Sequence, residues 1–277
     1  MKRIAFVLTS LTVIFFSCED SGIDEMEVQS VGSLDITSEE TITSAMEDAD
    51  VISDAGFDSF SDAGGRGIRD EILDCAAVTH DTVNNVITID YGEGCEGPRG
   101  RIRSGKIIVT YSGGRRFAVG AFREVTFEGF VIDSTQIEGT RTHRVTSVDT
   151  TSSTITTEIA LEGGKVTFGD GTTATREASR TRVWNRTENT TTVNGSARGV
   201  NREGVAYTMD IVEELVFARD CWFGRVFVPI SGVKVFTTAD QEVTIDYGDG
   251  ECDNIATVTN GSETEEIVLS LRGRRRG

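Results

Sequence analysis

The chain has 277 residues, with 45 acidic against 27 basic side chains, 35 threonines and only 8 leucines. Helices draw on Leu, Ala, Lys and Glu, whereas Thr, Val and Ile suit half-buried strands, so this composition excludes a helical bundle or a doubly wound α/β enzyme. A net charge of −18 argues against a general nucleic-acid binder, and two histidines leave little for a His-based metal or acid–base centre. No apolar run reaches the roughly 18 residues that a membrane helix needs.

The first 18 residues read MKRIAFVLTSLTVIFFSC. Lys2 and Arg3 give a basic start, Ile4 to Phe16 a short apolar stretch, and Ser17 a small residue before Cys18. This is the layout of a secretory signal. It resembles a bacterial lipoprotein signal, with Phe15 standing where that pattern has Leu. The resemblance implies cleavage before Cys18, a diacylglycerol on its sulfur and a fatty acyl group such as palmitate on its new amino group. Several chains together hold a membrane firmly. Glu19-Asp20 is similar to the acidic export signal of Bacteroidota surface lipoproteins, and is equally the start of an acidic tether. An outer-membrane location is expected, with its periplasmic and cell-surface faces both open.

Residues 18–74 read as an acidic tether. From 19 to 74 there are 17 acidic and 2 basic side chains, while 75–277 carries 28 and 23. Such a segment solvates itself and stands off an anionic surface. Within it, Ile42, Ala45, Met46, Ala49, Ile52 and Ala55 recur at helical spacing, which predicts a short amphipathic helix over about residues 37–55. Thr37 with Glu40 fits a capping box, and Gly56 reads as its stop. The helix either packs on the following domain or is solvated.

From Cys75 onward the period is two, which predicts an all-β domain over 75–277. Tyr207, Met209, Ile211, Leu215 and Phe217 share one face, as do Ile155, Ile159 and Leu161, and Ile107, Val109 and Tyr111. Gly113-Gly114, Asp170-Gly171, Glu203-Gly204 and Asn260-Gly261 mark turns between such runs. Short loops join antiparallel neighbours, so the expectation is a meander of about ten to twelve strands, as a curved sheet or open half-barrel. Residues 140–192 hold 17 threonines in 53 positions, which predicts a polar solvated face and offers a surface for a glycan.

The domain is bounded by an internal echo. ITIDYGEGC at 87–95 matches VTIDYGDGEC at 243–252, and each is preceded by a cysteine, Cys75 or Cys221, at the head of an apolar strand. The two ends read as related hairpin units. A turn at Asn84-Asn85 sets Cys75 opposite Cys95. A turn near Thr238 and Ala239 leaves Cys221 and Cys252 slightly out of register, with Pro229 and Gly232 marking a bulge that absorbs the difference. The local pairings Cys75–Cys95 and Cys221–Cys252 are therefore favoured, with pairing between the two units as the alternative.

Chemistry is sparse. Asp246, Asp249 and Glu251, like Asp90, Glu93 and Glu96, form weak calcium candidates on acidic turns, and their spacing does not match a calcium-binding loop. His80 and His143 neighbour no nucleophile motif. Ser196 in Gly195-Ser196-Ala197-Arg198-Gly199 stands one place early for a nucleophile elbow. Glu213 and Glu214, adjacent on an alternating strand, are expected to point to opposite faces. No catalytic residue or cofactor is expected. Trp222 reads as core, and Trp184, at the end of a strand bearing Arg176, Arg180 and Arg182, as the candidate ligand-surface residue. Asp81-Thr82-Val83, Asp133-Ser134-Thr135 and Asp149-Thr150-Thr151 are similar to the O-glycosylation triplet of Bacteroidota. The tail Arg272-Gly273-Arg274-Arg275-Arg276 reads as a solvated end.

The lipoprotein signal ending at Cys18, the acidic helical segment, RSGKIIVTYSG at 103–113 and TIDYGDGECDN at 244–254 together resemble the β-rich lipoproteins widespread in Bacteroidota, a group with no assigned activity. That resemblance implies the address and the fold and supplies no catalytic residues. The expected role is a non-enzymatic outer-membrane lipoprotein, held through its lipid anchor, that binds or scaffolds an envelope protein or glycan. A carrier or chaperone for a hydrophobic ligand and an envelope-glycan hydrolase are the alternatives.

Overall fold

A computed structural model describes residues 30–31, 34–60, 71–97, 100–112, 116–223 and 228–269, with the side chains of 30–37, 40, 222 and 223 excepted. The signal segment with Cys18, the Gly113-Gly114 turn and the arginine tail lie outside these residues, as do the side chains of Thr37, Glu40 and Trp222.

A two-residue ribbon, β1 (Ser30–Val31) with β2 (Leu34–Asp35), leads into helix α1 (Ile36–Asp58). The rest is an antiparallel meander. Its strands are β3 (Ala77–Asp81), β4 (Val86–Asp90), β5 (Cys95–Glu96), β6 (Ile102–Ser112), β7 (Phe122–Ile132), β8 (Thr135–Asp149), β9 (Thr154–Thr167) and β10 (Thr173–Asn185). They continue with β11 (Thr190–Val200), β12 (Ala206–Ala218), the short helix α2 (Arg219–Phe223), β13 (Ser231–Thr237), β14 (Glu242–Asp249), β15 (Ile255–Asn260) and β16 (Glu263–Val268). Strands β3 to β16 form one open sheet of 14 strands, in chain order except that β5 caps β6 beside β4. The count exceeds the expected ten to twelve because short strands flank both cysteine units.

Alternation sorts the faces as anticipated. Tyr207, Met209, Ile211 and Leu215 are buried, as are Ile155, Ile159 and Leu161, and Ile107 and Val109. The Asp170-Gly171, Glu203-Gly204 and Asn260-Gly261 pairs lie in the β9–β10, β11–β12 and β15–β16 connections. On the outer face Thr142, Thr156, Thr181 and Thr192 stand on neighbouring strands among exposed Glu158, Asn194 and Ser196.

The helix is part of this core and not a solvated tether. Ile42, Ala45, Met46, Ala49, Ile52 and Ala55 are all at most 3% exposed, and they pack with Ile87, Ile89, Ile107, Val109 and Val125. Ser53, Glu39, Asp48 and Asp50 are buried too. At 3.6 residues per turn these positions enclose more than half of the helix circumference, so the sheet curls around α1 as a groove. Gly56 does not stop the helix. It lies inside the last turn, where a Cβ would stand 2.5 Å from Ile89 Cδ1, so glycine is there to let the helix approach β4.

The two cysteine units close locally, as Cys75–Cys95 and Cys221–Cys252. Cys75 does not, however, face Cys95 across the β3–β4 hairpin. The β3–β4 ladder pairs Ala77 with Asp90 and Asp81 with Val86, which would set Cys75 across from Gly92. The chain turns at Tyr91–Gly94 instead, and Cys95 reaches Cys75 from β5. Cys221 lies in α2 and not at the head of a strand. The predicted bulge is present between Ser231 and Val233, with Gly232 at φ 108°. The echo is structural as well. Asp90 accepts the amide of Gly92 and Asp246 that of Gly248, at 2.8 and 2.9 Å, and the tyrosines between them, Tyr91 and Tyr247, are both buried.

Candidate functional site: the charged seam beneath helix α1

Among the described residues, the inner face of the sheet carries four buried cations and a buried histidine where alternation alone calls for apolar side chains. Arg103, Arg141, His143, Arg176 and Lys234 are each at most 4% exposed. Burying an ion without a partner is prohibitive, so each of the four cations needs a counter-charge, and α1 supplies most of them.

Asp48 receives Nε and Nη2 of Arg103 at 2.9 and 2.8 Å, a two-point grip that matches the planar guanidinium to the carboxylate. Asp50 receives Nε and Nη2 of Arg141 at 2.7 and 2.8 Å, and Arg182 approaches it at 3.4 Å. Asp54 pairs with Arg123 and, at 2.5 Å, with Arg116, which also reaches Asp58 at 2.6 Å. Near the start of the helix, Arg176 meets Glu39 at 3.2 Å, and Arg202 donates to Ser38 at 2.9 Å. The ladder thus draws on β6, β7, β8 and β10 along the length of α1.

Burial alone would raise the pKa of Asp50, but Arg141 first, then His143 and Arg182, hold its carboxyl well below the usual range. His143 goes the other way. Its burial, aided by Arg123 and opposed by Asp50, brings it down to about 4. Its Nδ1 stands 3.3 Å from Arg123 Nη2, which can only donate, so Nδ1 accepts and the proton sits on Nε2, 3.0 Å from Asp50. Glu47 is pushed up by burial against the opposing pull of Arg180, Arg182 and Lys234. Burial brings Arg180 down to about 10, helped by Arg176 and resisted by Glu47. Arg180, Lys234 and Glu47 line a small cleft between α1 and β10–β13 whose wall is Val193, Leu215 and Phe217.

The residues singled out from sequence fall elsewhere. Trp184 is half-buried at one end of the groove, against Phe117, with Arg219 6.0 Å from its ring centre. Asp246, Asp249 and Glu251 border a shallow depression with Asp253 and Glu266, but no metal-binding group of three His, Cys, Asp or Glu residues occurs among the described residues. His80 packs on Phe60 and lies 2.7 Å from the Tyr111 hydroxyl. Glu213 and Glu214 do not alternate as expected. The β12–β13 ladder shifts on both sides of Glu213 and leaves both carboxylates exposed. Thr82, Ser134 and Thr150 of the three Asp-Ser/Thr triplets are exposed in hairpin turns.

Of the seam itself, the sequence marks Arg176, Arg180 and Arg182 only as members of the strand leading to a surface Trp184, and not as inward-facing groups paired with α1. Their partners are not legible there, because Glu39 and Arg176 stand 137 residues apart. No protein family, curated protein or solved structure matches this chain.

Proposed function

We propose that this chain is a non-enzymatic, lipid-anchored outer-membrane protein that binds or scaffolds another component of the envelope. The observation that carries the binding role is the seam. The ionisable groups of the sheet interior face the carboxylates of a helix, as in a recognition surface, and not a reacting centre. Glu39, Asp48, Asp50, Asp54 and Asp58 are each held by an arginine, an arrangement suited to docking and ill suited to a free general base. A carrier for a hydrophobic ligand needs a continuous apolar lining. The cation band crossing the inner face, with α1 already lying on it, weighs against that alternative.

The anchor rests on Cys18 following the apolar run and Ser17. Cells fed a labelled fatty acid are expected to label the protein, and Cys18→Ala to abolish the label. Continued labelling of that variant would overturn the anchor.

A further inference from the structure

We infer that the cation-lined groove beneath α1 is a docking site for an acidic amphipathic helix of a partner protein, and that α1 occupies it in cis as a displaceable stand-in. This deepens the binding role proposed above and does not depend on the lipid anchor.

Three observations carry it. The first is that α1 is separable. Among the described residues no backbone hydrogen bond joins it to the sheet, whose ladder runs unbroken from β3 to β16 without it. The helix precedes the whole meander in sequence, so its departure breaks no strand pairing. The second is how it is held. Its fully buried apolar residues are Ile42, Met46, Ile52 and three alanines, with Val51 and Phe57 half-buried against the same core, and its acidic side chains make ion pairs with the sheet. Buried ion pairs give orientation more than net stability, since desolvation offsets most of their attraction. A helix docked this way opens at a lower free energy than the sheet unfolds.

The third is that α1 leaves the groove under-satisfied. Among the described residues Arg103, Arg116, Arg123, Arg141, Arg176 and Arg182 pair with Glu39, Asp48, Asp50, Asp54 and Asp58 of α1, and Arg180 and Lys234 line a cleft with Glu47. Arg103 Nη1, Arg116 Nε, Arg123 Nε, Arg176 Nη2 and Arg180 Nε are buried without a hydrogen-bond partner. On the helix side Ser53 is fully buried, and its hydroxyl also lacks a partner. Buried donors left unpaired are costly, so a helix with acids at more of the inward positions would satisfy the groove better than α1 does. The groove is shaped for a helix, with alanines on the side of closest approach and carboxylates flanking them, Asp48 toward β6 and Asp50 toward β8 and β10.

The test uses the full chain and a fluorescent synthetic peptide of residues 36–58. The peptide should bind saturably, and its Asp48→Asn, Asp50→Asn form should bind at least tenfold more weakly. Hydrogen exchange should show α1 amides opening faster than those of β8, β9 and β10. Because the substitutions are in the peptide, the fold of the chain is not at risk. The inference is overturned if the two peptides bind alike, if neither binds, or if α1 exchanges only in step with the strands. Vesicles of phosphatidylglycerol are the third arm. If they speed α1 exchange while the peptide fails to bind, the groove's ligand is an anionic lipid and the helix partner is wrong. None of these outcomes bears on labelling at Cys18, which judges the anchor separately.

Discussion

His143 sits where Asp50, Arg123 and Arg141 converge, and its ionisation sets how the interior responds to acid. Folded, it titrates at about 4, whereas an unfolded histidine does so near 6.5. Between those values the unfolded chain binds more protons, so stability must rise with pH across that window. The contribution is fully present above about 6.5 and is lost as pH falls toward 4. Asp50, depressed below its ordinary value, adds a second loss at still lower pH. Denaturation followed at several pH values should give a plateau above about pH 6.5 and a decline below it, and His143→Gln should flatten the decline. A second prediction concerns the charge that remains when a pair is broken. Arg141→Met leaves Asp50 buried with weaker partners and should cost about 3–5 kcal/mol, whereas Arg141→Met with Asp50→Leu should recover most of that loss. Equal destabilisation by the single and double variants, measured by urea unfolding, would show that the site matters for packing and not for charge.

Among the elements, those with a local period were legible and those defined by distant partners were not. β12 declared its inner face through Tyr207, Met209, Ile211 and Leu215, and α1 through its Ile and Ala spacing. The acidity of residues 19–74 misled, because net charge argues for solvation unless the opposing cations are known. Those lie on β6, β7, β8 and β10, between 55 and 137 residues away. The first cysteine unit was read to the right bond through the wrong register, since a turn after Asp90 carries no signal that fixes where pairing resumes. The second unit was read through Gly232, and there the prediction is sharp. At φ 108° a side chain is strained, and a Cβ would stand 2.3 Å from the Glu214 carbonyl oxygen. Gly232→Ala should therefore cost about 2 kcal/mol or more, through strain and a collision with backbone that cannot rotate away. A melt unchanged from the parent would mean that the β12–β13 bulge relaxes freely.

At the scale of the whole molecule, an open sheet of 14 strands has two edges, and its local disulfides brace the units beside them without closing the sheet into a barrel. Non-reducing proteolysis should release Cys75 linked to Cys95 and Cys221 linked to Cys252. Cys95→Ser should lower stability by about 2–5 kcal/mol. The edges themselves need protection, because an unpaired strand offers a row of amides and carbonyls to any other chain. On β16 that protection is charge. Glu263, Glu265 and Glu266 are exposed on a six-residue strand, and two copies meeting there edge to edge would bring six carboxylates together. Thr264 and Val268 on the same strand are good strand formers, so removing the charge leaves a segment well suited to pairing. Replacing the three glutamates with threonine should thus leave the monomer fold intact by circular dichroism while raising the apparent mass in light scattering as concentration increases. The parent chain should show a smaller rise under the same conditions, and one that grows as salt screens the repulsion. If the triple variant associates no more than its parent, edge charge is not what limits pairing at β16.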